Sequence, residues 1–89
     1  MMDLDKSPKH GEKMLAQRID DSTVLLSLDN GEYYALDEIG SRIWGLCDGT
    51  HSVSDIIESI CAEYDAPPET IKVDVLELLE ELVGEKILV

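Results

Sequence analysis

The order of hydrophobic periods along this chain implies an α+β domain: a three-stranded antiparallel sheet followed by three helices. Three observations carry that expectation. Period-two apolar alternation is confined to residues 14–36, an Asn30-Gly31 turn signal sits between two of those runs, and helical stripes occupy everything from residue 37 onward. Eighty-nine residues make one domain.

Taken in order, residues 1–13 are charged and carry Pro8 and Gly11, and they read as a flexible tail ahead of a domain over 14–89. Met14–Ile19 is a weak first strand, with Leu15, Gln17 and Ile19 on one face. After the Asp20-Asp21-Ser22 turn, residues 23–28 form a second strand in which Val24, Leu26 and Leu28 alternate with Leu25 and Ser27. Asp29-Asn30-Gly31 predicts a tight primed hairpin turn, because Asn and Gly tolerate positive φ. Residues 32–36 return as the third strand. A meander that cannot close into a barrel leaves at least one strand edge open.

Asp37 is positioned as an N-cap, its carboxylate able to accept the free amides of a first helical turn. The helix to about residue 46 places Ile39, Ile43, Leu46 and Cys47 on one stripe, with Trp44 beside it and Asp48-Gly49 as a stop. Ser52 and Asp55 have capping-box spacing, and Val53, Ile56, Ile57, Ile60, Cys61 and Tyr64 follow a helical stripe. Pro68 suits the first turn of a last helix over 68–83. On that helix Ile71, Val75, Leu78 and Leu82 share one face, while Asp74, Glu77, Glu80 and Glu81 lie opposite. Lys72, Leu76, Leu79 and Val83 make an apolar shoulder, which either buries against the sheet or forms one wall of an open groove. Gly84 stops the helix, and residues 86–89 are a short strand or extended end.

Composition narrows the function. Twenty acidic residues against seven basic give a formal charge of −13, and the cations do not cluster. Such a surface repels the phosphate backbone of nucleic acid and an anionic membrane, but admits a cationic or apolar polypeptide. No apolar run is long enough to span a bilayer, and the polar start lacks a signal-peptide apolar segment, so a cytoplasmic protein is expected. Cys47 and Cys61 occupy apolar helix phases and read as small buried hydrophobes in a reducing compartment.

No catalytic residues, metal ligands or cofactor-binding residues are expected. The glycines are isolated, so no phosphate loop exists, and no metalloprotease, calcium-loop or Ser-x-x-Lys motif occurs. Two cysteines and two histidines, without further ligands at short spacing, disfavour zinc. The many carboxylates fall on solvated helix faces. Tyr33, Tyr34, Trp44 and Tyr64 lack the basic neighbours of a base-stacking platform.

The segments NGEYYALDEIGSRIWGLCDG, SVSDII and VDVLELLEELVGEKIL together resemble the PqqD-like family, the RiPP recognition elements that capture leader peptides of ribosomally made, post-translationally modified peptides. The resemblance covers about residues 15–88. It implies a winged-helix-turn-helix-like fold and a non-catalytic adaptor. Tyr-Tyr-x-Leu-Asp-x-x-Gly-x-x-Ile-Trp looks most like the stand-alone proteins of lasso peptide clusters, whereas the Cys47-Asp48-Gly49 ending looks like the proteins of pyrroloquinoline quinone synthesis.

The family mechanism implied is strand addition: a leader peptide pairs with the third strand and sends its apolar side chains between that strand and the last helix. Carried onto this chain, the edge is Glu32, Tyr33, Tyr34, Ala35 and Leu36, and the helix wall is Lys72, Val73, Leu76, Leu79 and Glu80. The implied partners are a precursor leader peptide and the leader peptidase, with the cyclase, of a lasso pathway. The alternative is presentation of a precursor to a radical-SAM enzyme in quinone biosynthesis, and a DNA-binding winged helix is a third reading that the charge opposes.

Overall fold

The computed structural model of the chain describes residues 3–89; the first two residues of the expected tail lie outside the described residues. The element order is β1 (Met14–Ile19), β2 (Ser22–Ser27), β3 (Tyr33–Leu36), α1 (Glu38–Leu46), α2 (Val53–Glu63) and α3 (Pro68–Gly84). The sheet is antiparallel in the order β1-β2-β3. This is the α+β architecture expected from the hydrophobic periods.

Register assigns the two faces of the sheet. Ala16, Leu25 and Tyr34 lie across from one another, as do Arg18, Thr23 and Leu36. Thr23, Leu25, Ser27 and Leu36 are buried on this face. The opposite face carries Leu15, Leu26 and Tyr33 in register, with Leu15 and Tyr33 exposed.

Local chemistry explains the connections, with one correction. The β2–β3 turn is not the primed turn expected from Asn30-Gly31. Only Gly31 takes a positive φ, of 72°. Its N–H bonds Ser27 O at 2.8 Å, while Asn30 Oδ1 accepts the Glu32 N–H at 2.9 Å. The loop is one of the longer, single-left-handed-residue kind, which a two-residue primed turn with two positive φ values is not. The β1–β2 turn places Asp20 at φ 54°.

Asp37 caps α1 through the Gly40 N–H, and Ser52 and Asp55 form the reciprocal capping box of α2. Pro68 opens α3. Gly84 is the last residue of α3, as expected, and Lys86 beyond it takes φ 61°. The main chain then folds back so that the Ile87 and Leu88 amides bond Leu82 O.

The three helices cover the Leu25–Leu36 face. The core joins Leu25 and Leu36 to Ile43, Trp44, Val53, Ile56, Ile60, Val75 and Leu79, with Ile87 and Leu88 at its base. Trp44 lies within this core rather than beside it.

The segment expected as a flexible tail is bound to the body of the domain. Leu4 O and Lys6 O accept the Ser54 and Val53 N–H groups, the otherwise unpaired amides of the first turn of α2. Pro8 is buried, and its carbonyl accepts from Gly49 N. Lys9 exchanges two hydrogen bonds with Val89, and Gly11 N bonds Ile87 O. The His10 ring stacks on Trp44 at 3.6 Å and its Nε2 lies 2.8 Å from Trp44 O. The physical reason is backbone accounting: a helix start and a buried C-terminal segment both need partners, and this stretch supplies them.

Candidate functional site

The site begins with an unused row of backbone groups. Leu28 N bonds Lys13 O, and Ser27 N bonds Glu32 O at 2.9 Å. Antiparallel alternation then directs the N–H and C=O groups of Tyr34 and Leu36 toward β2 and those of Tyr33 and Ala35 outward. Among the described residues no strand pairs with this outer side of β3. The chain termini pair with each other elsewhere, so they leave it open.

Beside the open edge runs a groove of about 410 Å³, lined by Ala35, Leu36, Asp37, Ile39, Gly40, Ile43, Asp74 and Leu78. Its floor is apolar because Leu36 and Ile43 belong to the core and Leu78 packs against it. Gly40 lets α1 approach closely: a Cβ there would stand 3.2 Å from Leu36 Cβ and 3.2 Å from Asp37 Oδ1. Ile39, at 40% exposed, stays at the groove wall instead of joining the buried stripe assigned to it from sequence.

The rotation of α3 differs from expectation by about one residue. Ile71, Val75, Leu79 and Leu82 are its buried stripe. Leu79, expected on the groove wall, is 0% exposed and belongs to the core, while Leu78, expected in the core, lines the groove. Glu80 and Val83 line a different cavity, of about 660 Å³, on the flank that meets Lys6, Ser7 and Pro8. Lys72 and Leu76 share that flank by helical spacing. Val73 is exposed at 52%, on the side away from the core. The β3-facing flank is Asp74 and Leu78, with Glu85 just beyond the helix end.

Of the strand residues expected at the site, Ala35 and Leu36 line the groove and Tyr33 stands exposed on the outer sheet face. Tyr34 crosses to α3: its hydroxyl donates to Glu32 Oε2 at 2.8 Å and lies 3.4 Å from Glu85 Oε2. The Glu32 hydrogen bond, with burial and the two carboxylates' charge, pushes the phenol up to about 12. Asp37, Ile39, Gly40, Ile43, Asp74 and Leu78 were not assigned to the site from sequence. The one available signal was that Asp74 and Leu78 are four apart on a helix and so share a flank.

Cys47 and Asp48 are held in structural roles, whereas Cys61, expected buried, is only partly buried. The Cys47 thiol is buried, contacts Ile43 O at 3.2 Å, and is pushed up to about 12, first by burial and then by the Asp48 charge. A thiol so held is not a nucleophile at neutral pH. Asp48 accepts from the Thr50 hydroxyl and amide and pairs with His51, which holds its carboxyl well below the usual carboxylate range. Among the described residues no three His, Cys, Asp or Glu side chains gather as ligands for an ion. Among the described residues no helix is long and apolar enough to cross a membrane.

Comparison with known proteins follows the same lines. The family model described as coenzyme PQQ synthesis protein D (PqqD) matches residues 22–88. A PqqA binding protein of Bradyrhizobium diazoefficiens is 39% identical over 51 residues, 57% of this chain and 50% of that protein, so the match spans half of that relative's length. A PqqA binding protein of Gluconobacter oxydans is 31% identical over 78 residues, 88% of this chain and 79% of its own. The solved structure of TbiB1 in complex with the TbiA(beta) leader peptide superposes with a TM-score of 0.82 at 36% identity, covering 90% of this chain and 93% of that one.

Proposed function

Because the chain belongs to the family of coenzyme PQQ synthesis protein D, we propose that it is a non-catalytic adaptor that captures the leader peptide of a ribosomally synthesised precursor and presents it to processing enzymes. The observation that carries this reading is the open outer edge of β3 beside the groove closed by α1 and α3. A peptide laid along that edge forms register-fixed hydrogen bonds with Tyr33 and Ala35. Its alternate side chains enter the groove against Leu36, Ile39 and Leu78. The gain is local concentration of substrate near an enzyme, not chemistry.

We infer a cytoplasmic lasso peptide pathway, with a leader peptidase and then a cyclase as the enzymes served. The Tyr-Tyr-x-Leu-Asp-x-x-Gly-x-x-Ile-Trp resemblance supports the lasso assignment, and the likeness to a leader-bound TbiB1 over nine-tenths of the chain supports leader capture itself. A second reading, presentation of a PqqA-type precursor to a radical-SAM enzyme, is favoured by the names of the sequence relatives. Calorimetric titration with the leader encoded beside the gene tests the adaptor. Binding near micromolar, about −8 kcal/mol, is expected, and no binding up to about 100 μM refutes it. Which enzyme of the neighbourhood is pulled down by the leader-loaded protein separates the two pathways.

A further inference from the structure

We infer that the bound peptide presents an apolar side chain to this groove with a lysine or arginine two residues away on at least one side. The inference rests on the adaptor reading and adds the chemistry of the ligand. An added strand on β3 alternates its side chains, and those opposite Tyr34 and Leu36 project to the helix side, about 7 Å apart. Opposite Leu36 the lining is Ile39, Ile43 and Leu78, which accepts an apolar group.

One step toward the start of β3, just beyond the groove lining, Glu32 and Glu85 both approach the Tyr34 hydroxyl. At the far end the lining carboxylates are Asp37 and Asp74. The Asp37 carboxylate is partly used by the Gly40 N–H, while Asp74 faces open groove. Among the described residues no lysine, arginine or histidine lines this groove, although Glu85 also borders a separate cavity with Lys9, His10, Lys13 and Lys86. The nearest cation along α1, Arg42, is held by Glu63 at 2.8 Å. An apolar slot with carboxylates at both ends complements a cation–x–apolar pattern and repels an acidic one.

Selection from a random dodecapeptide library displayed on phage, with the full chain immobilised, tests this. The expected result is enrichment of Lys or Arg two positions from Leu, Ile, Phe or Tyr. Replacing that cation by Glu in a synthetic winner should weaken binding at least about fivefold at low salt, and less at about 0.5 M salt. Selection on Asp74→Lys and, separately, Glu85→Lys should turn the preferred charge acidic on one side each. The side that inverts reports the direction of the added strand. Both residues are exposed, and a melting curve confirms that the variants fold. Enriched peptides with neutral or acidic residues at these positions would overturn the inference and leave the adaptor standing. A selection with no enriched binder would remove both.

Discussion

Cys47 and the two helix-α1 glycines show how position changes the consequence of a side chain. Because burial raises the Cys47 thiol in the folded protein to about 12, against roughly 8.5 when unfolded, the folded state holds its proton more tightly. Its contribution to stability is complete below about pH 8.5 and is lost as pH rises toward the folded value, at up to about 1.4 kcal/mol per pH unit. Melting temperatures measured from pH 8 to 11 should fall for the native chain. They should fall less steeply for Cys47→Val, which keeps the volume and removes the proton. Gly45 and Gly40 make a second pair. A Cβ at Gly45 meets nothing within 4 Å, so Gly45→Ala should stabilise by up to about 1 kcal/mol through helix propensity. At Gly40 the new methyl meets the Leu36 Cβ and the capping carboxylate, neither of which can yield easily. Gly40→Ala should therefore give no gain, or a loss, in urea denaturation.

At the scale of strands and helices, the proposed site is an edge plus one flank of α3. Ala35→Pro removes an outward N–H on an edge strand, a place where proline is tolerated. It should cut leader affinity by at least about tenfold, roughly 1.4 kcal/mol, with cooperative melting kept. Leu78→Glu should weaken the same binding by a similar factor by placing a charge in the apolar slot. Val73→Glu, on the exposed side of α3, should leave affinity unchanged. If Val73→Glu and Leu78→Glu weaken binding equally in the same titration, the peptide does not lie in the Leu36–Leu78 groove.

Across the molecule, the two chain ends close the fold together. Residues 4–11 supply acceptors to the start of α2, pair with residues 87–89 and place His10 on Trp44. Removing residues 1–11 should destabilise the domain by at least about 2 kcal/mol, or roughly 10 °C in melting temperature. The cost arises from freed amides at Val53 and Ser54 and from an uncovered Ile87–Leu88 segment. An unchanged melting temperature would mean that water replaces those partners without cost.

Much of this was legible in the linear chain. Strand and helix order, the Asp37 cap and the Ser52–Asp55 box depend on neighbours within four residues, so local chemistry determines them; that one strand edge stays open followed from the strand count, and that it is the third strand's came from the family resemblance. The Asn30-Gly31 hairpin was legible as a turn but not as a turn type, because one positive φ or two can follow from the same dipeptide. The rotation of α3 was decided only by packing. Its apolar residues spread over Ile71, Val73, Val75, Leu76, Leu78, Leu79, Leu82 and Val83, a band wide enough to seat with either shoulder down. Packing of α3 on α2, within one core that also holds Leu36 and Ile43, put Leu79 inside and left Leu78 lining the groove beside β3. Docking of residues 4–11 was likewise invisible locally, since its partners lie about forty to eighty residues away in sequence and short-range pattern holds no record of contacts that distant.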